Sequence, residues 1–163
     1  MTAQTHEAIG IATALFVIQP HSLTEVVCAT AGGMIGGVIA DIDVNNHKGH
    51  ADYKKDELLL GHTIVFAGIL LAIDYLLGNG VCKYVLNNSS HITMTCSIII
   101  VISLILGYYS SHRSFMHSIF AICLFTSMVW IAFKPLTIAF AVGYLSHILL
   151  DLTNKKGVQF FFP

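Results

Sequence analysis

Residues 136–152 read LTIAFAVGYLSHILLDL, and this stretch decides the fold. It is apolar over nearly all of its length, as a helix crossing hydrocarbon must be for about 20 residues. Its last turns nevertheless carry His147 and Asp151, four positions apart. On a helix that spacing puts two side chains on one face a turn apart, where both can grip a single ion. An ionisable group at membrane depth is costly and is read by default as functional.

Working outward, stretches 116–133, 93–109 and 58–77 have the same apolar character. Composition agrees: 55% of the 163 residues are hydrophobic and 10% charged, with a mean hydropathy of +0.75. A soluble domain carries about 25% charged residues, so a water-facing surface cannot be built from this chain. The expected fold is an all-α, multi-pass transmembrane helical bundle, one membrane domain over residues 1–163 with four spans. Its N-terminal third adds either a helical hairpin or two further spans, because 8–18 is short and ends at Pro20 while 23–39 is long but rich in glycine. Residues 2–10 contain Glu7 and no Lys or Arg, unlike the positive opening of a signal peptide, so the N-terminus is expected to remain. Gly32, Gly33, Gly36 and Gly37 form two overlapping small-x-x-x-small pairs, expected to serve close helix packing. Cys28, Cys82, Cys96 and Cys123 show no C-x-x-C spacing and read as small packing residues.

Counting crossings from the loop that holds Ser110 and Ser114 brings distant residues to one membrane face. The helix after that loop leaves the face and 136–152 returns to it. Running backwards, 93–109 arrives there and 58–77 departs, so the polar loop 41–57 lies on the same side, as does His6 if the first two segments pair. Seven candidate metal ligands therefore share a face: His6, Asp41, Asp43, His112, His117, His147 and Asp151. Lys48, Lys54, Lys55, Arg113, Lys155 and Lys156 fall there too, against Lys83 and Lys134 opposite. By the positive-inside rule that face, with both termini, is cytoplasmic.

Imidazole and carboxylate together suit zinc, manganese or iron better than copper(I) or calcium. Seven candidates exceed the four ligands of a closed structural zinc site and leave room for two ions. His112 is expected in the loop and His117 in the first turn of the helix after it. The other histidines lack such company: His47 and His50 lie in a hydrophilic loop, His21 and His91 stand apart, and His62 reads as helix packing or as a support to the ligands.

These motifs resemble the YdjM-like family of bacterial inner-membrane, metal-dependent hydrolases. The likeness is carried by Thr5-His6 followed by Gly10, by Gly36-Gly37 leading into Asp41-x-Asp43, by the run from His112 through Arg113 to His117-Ser118, and by Gly143-Tyr144-Leu145-Ser146-His147 with Asp151. It implies a membrane-embedded hydrolase of the bacterial inner membrane whose metal is held by these histidines and aspartates. Ser114 and Met116 depart from the glycine and threonine common in the family's pattern.

The expected activity is hydrolysis of a phosphoester in a membrane lipid or lipid-linked phosphate, with a divalent metal, zinc or manganese, and Arg113 clamping the phosphate through its planar fork. The rival readings are a metal-ion transporter, since intramembrane His and Asp also mark ion pathways, and a non-catalytic scaffold with a structural metal. No glycine-rich phosphate loop, serine elbow or nucleic-acid motif is present, so no nucleic-acid partner is expected.

Overall fold

The computed structural model describes residues 3–42, 53–76, 84, 87, 91–109 and 115–153. Among these residues six longer α-helices follow in order: α1 Ala3–Ile18, α2 Leu23–Ile39, α3 Tyr53–Leu76, α4 His91–Tyr109, α5 Ile119–Ala132 and α6 Thr137–Leu152. There is no strand among the described residues, and the all-α bundle expected from composition is what the chain forms. Among them, Leu23–Ile42, His91–Tyr109 and Lys134–Leu152 are long and apolar enough to cross a membrane. The glycine-rich second segment is thus a helix of spanning length. On α4 the side chains of Ile98, Val101, Ile102, Ile105 and Leu106 are all more than half exposed. A contiguous apolar face of that kind is stable against lipid tails and unstable against water.

The stretch 116–133 is shorter as a helix than its apolarity suggests. Phe115–His117 form a separate 3-10 turn, and Ser118 caps α5 by accepting a hydrogen bond from the Ala121 N–H at 3.2 Å. The 14 residues that remain make a rod of about 21 Å against roughly 30 Å of hydrocarbon.

At the opposite end of the bundle the α1–α2 turn is strongly specified. Gln19 closes α1 in the left-handed region at φ 48°, its N–H donating to the Leu15 carbonyl, and Pro20 prevents the helix from continuing. Ser22 then caps α2 through the Glu25 N–H, while the Glu25 carboxylate accepts from the His21 N–H. This is a close variant of the capping box.

The glycines of α2 decide how the core closes. A Cβ on Gly37 would stand 2.7 Å from the His6 carbonyl, and one on Gly33 would stand 2.6 Å from the Ala14 Cβ. A Cβ on Gly32 would lie 2.6 Å from the Ala139 Cβ, and one on Gly36 would strike the Phe140 carbonyl. The four glycines therefore face two neighbours, α1 on one side and α6 on the other, and α2 is pressed between them. Packing is the role expected of these glycines, and their environment is what such a role requires. The same contacts give direction. Positions rise along α6 as they rise along α2, and fall along α1, so α2 and α6 run parallel and α1 antiparallel to both. Cys28 and Cys96 are buried in keeping with a packing role, whereas Cys123 is exposed. Cys82 lies outside the described residues.

Candidate metal centre

Because α1 begins where α2 and α6 end, His6, Asp41, His147 and Asp151 are brought to one end of the bundle. His117 joins them from the turn before α5. That turn is held by Tyr144, whose hydroxyl donates to the Met116 carbonyl at 2.5 Å, while the Met116 side chain lies against Gly107 of α4. Ser118 accounts for the displacement of His117 from the helix proper: an N-cap residue is non-helical, so His117 falls outside α5, not in its first turn. The serine at that place was the legible signal.

Within the cluster the donor atoms converge. His6 Nε2 and His117 Nε2 each lie 3.4 Å from the Asp151 carboxylate, on Oδ1 and Oδ2 respectively. His147 Nε2 lies 3.3 Å from His117 Nε2, 3.6 Å from Asp41 Oδ1 and 4.0 Å from Asp151 Oδ2. His6, His117, His147 and Asp151 are all under 4% exposed, while the Asp41 side chain is 17% exposed and marks the open side. One donor atom from each of His6, His147 and Asp151 falls within 4.8 Å of the others, and so does one from each of Asp41, His117 and His147.

These separations bear on whether a metal fits. A hydrogen bond between a protonated imidazole and a carboxylate closes to about 2.7–2.9 Å, and none of the pairs does. Ligands about 2.0–2.2 Å from a tetrahedral ion stand about 3.3–3.5 Å apart, close to the 3.3, 3.4 and 3.6 Å observed. Donors held around one ion would stand at such spacings. His147 is also oriented as a ligating histidine is. Its Nδ1 lies 2.7 Å from the Gly37 carbonyl, and a carbonyl can only accept, so Nδ1 carries the proton and Nε2 presents its lone pair.

Asp43, His112 and Arg113 lie outside the described residues, as do His47 and His50. His62 is exposed on α3 and neither packs between helices nor supports the cluster. His21 and His91 are exposed as well. Sequence reasoning passed over Gly37 as a hydrogen-bond acceptor and Tyr144 as the anchor of the His117 turn. Tyr144 stands three positions before His147, a spacing that shares a helix face, so the tyrosine could have been found. It also passed over Glu7, whose carboxylate accepts from the Thr63 hydroxyl at 3.1 Å and ties α1 to α3.

Fold and site together define a helical membrane protein with a buried histidine–aspartate cluster at one end of its bundle. The family profile described as YdjM inner membrane protein matches residues 1–163, and the chain belongs to that family. No curated protein and no solved structure matches it.

Proposed function

We propose that the protein is a metal-dependent hydrolase that cleaves a phosphoester in a membrane lipid or lipid-linked substrate at the cytoplasmic face. The observation that carries this reading is the set of five buried or half-buried imidazole and carboxylate donors that converge at spacings suited to the ligands of a bound ion. Imidazoles and carboxylates in this mixture suit zinc or manganese. A divalent ion held by these residues would supply an acidified water and neutralise charge developing on phosphoryl oxygens.

The chain's own residues have separable tasks. Asp41 and Asp151 bring the negative charge that balances a cation, His147 is locked in one tautomer by Gly37, and burial of three histidines excludes bulk water. Asp41, at the less buried edge, leaves an approach from the membrane face. Arg113 precedes His117 by four positions and is assigned the phosphate clamp, because its fork matches two phosphate oxygens where a lysine offers a point charge. The crowding of donors at one end of the bundle favours catalysis over an ion pathway, which would distribute them along the crossing.

The test uses the detergent-purified chain, analysed for metal and assayed on phosphatidic acid and a polyprenyl phosphate. Metal should co-purify, and a chelator should abolish turnover. Arg113→Lys should keep its metal while turnover falls about tenfold or more, equivalent to roughly 1.4 kcal/mol of transition-state binding. Unchanged turnover would remove Arg113 from the mechanism. Metal flux into liposomes without hydrolysis would replace the hydrolase with a transporter.

A further inference from the structure

We infer that the cluster binds two divalent ions bridged by the Asp151 carboxylate, with His6 on one ion and His117, His147 and Asp41 on the other. This rests on reading the cluster as a metal centre, and it states how that centre is divided.

The stacking of His6 on His147 is the deciding feature. Their ring centroids are 4.1 Å apart and their planes inclined by only 30°. At that separation two imidazoles can lie only face to face, since edge to edge they would overlap. An ion bound in the plane of a ring lies about 3.2 Å from its centroid. Planes so spaced and so inclined meet only roughly 7–8 Å away, so an ion in the plane of one ring stands well off the plane of the other. His6 and His147 therefore cannot share an ion, although their nitrogens are neighbours.

Both Nε2 atoms nonetheless face one carboxylate. His6 is nearest Asp151 Oδ1 at 3.4 Å, and His147 lies 4.0 Å from Oδ2. Each carboxylate oxygen has its own lone pairs and can bind an ion of its own, as in two-metal sites with ions about 3.5–4 Å apart. That distance is close to the 4.1 Å between the stacked rings. His117 behaves differently from His6. Its ring is inclined at 60° to His147 in an edge-on arrangement, with the two Nε2 atoms 3.3 Å apart, so the stacking that separates His6 from His147 does not separate His117 from it. Asp41 Oδ1, 3.6 Å from His147 Nε2, completes a group of three whose donor atoms lie within 4.8 Å of one another, and Asp151 Oδ2 adjoins it, 3.4 Å from His117 Nε2. The ion on His6 and Asp151 Oδ1 has two donors from the described residues, so the sites differ in strength.

Manganese(II) titrated into the metal-stripped, detergent-purified full chain tests this by stoichiometry and electron paramagnetic resonance. The expected result is two ions per chain at saturation, bound in steps separated by about tenfold or more, with the spectrum of an exchange-coupled pair. His6→Gln should saturate at one ion and give an uncoupled spectrum with unchanged helix content, whereas His117→Gln should remove the tighter step. One ion per chain in the unaltered protein, two uncoupled ions, or a coupled pair surviving in His6→Gln would each overturn the inference. The unaltered protein suffices for the first two outcomes should a variant fail to fold. Hydrolysis of phosphatidic acid with one ion bound would sink the bridged pair and keep the hydrolase. A coupled pair with no turnover of any lipid phosphate would do the reverse.

Discussion

At the scale of single residues, His147 shows how a buried polar group is held in one orientation. Fully buried, it would cost free energy if left unpaired, and the Gly37 carbonyl satisfies one nitrogen at 2.7 Å. The other nitrogen is thereby left as an acceptor, pointing at His117, Asp41 and Asp151. Replacing His147 with alanine removes a donor from every grouping it joins. The His147→Ala variant should lose most of its bound metal, and its turnover with it, while circular dichroism still reports the native helix content. Full metal content in that variant would exclude His147 as a ligand. The spacing of His147 and Asp151 was legible in the sequence, because a helix repeat makes neighbours of residues four apart. The acceptor was not, since Gly37 is 110 positions away and a backbone carbonyl has no signature in residue type.

Among the elements, α2 carries the architecture. Its glycines serve two faces at once, so the helix is both the partner of α1 and the partner of α6. A side chain at such a position must push backbone, not a flexible neighbour. Gly37→Ala should therefore lower Tm in detergent by a shift equivalent to about 1–3 kcal/mol of overpacking. It should also weaken metal binding, because the carbonyl that orients His147 belongs to the displaced residue. The counterpart is Gly68 on α3, where an added Cβ meets nothing within 4 Å. Gly68→Ala should leave metal content unchanged and should not lower Tm, since alanine is favoured over glycine in a helix by up to about 1 kcal/mol. Equal sensitivity at both positions would show that the glycine stripe has no special packing role. The small-x-x-x-small pattern could be read directly, but not which neighbour each glycine would meet.

For the whole molecule, the parallel run of α2 and α6 is the property on which the site depends. The glycines of α2 meet rising positions along α6, so both helices end where the cluster lies. If the end bearing the cluster is cytoplasmic, reporters placed after Pro163 and within residues 45–54 should both behave as cytoplasmic. Reporters on opposite sides would contradict the parallel pair, and both on the far side would invert the assignment made from Lys and Arg. The crossing count brought His6, Asp41, His117, His147 and Asp151 to one face without any coordinate. It works because lipid forces each apolar stretch to be a helix with its own backbone satisfied, leaving few ways to connect them.

The sequence by itself determined the class of fold and the end of the bundle at which the histidines and aspartates gather. Helix periodicity, the apolar length a bilayer demands and the parity of crossings are all properties of the chain taken in order. Only the tertiary structure decided that α2 is clamped between α1 and α6, that Ser118 ends the turn bearing His117, and that His62 faces outward. It alone decided that His6 stacks on His147 instead of converging with it. Ring planes and donor distances depend on rotations of packed helices about their axes, and at these close backbone contacts the glycines of α2 set those rotations.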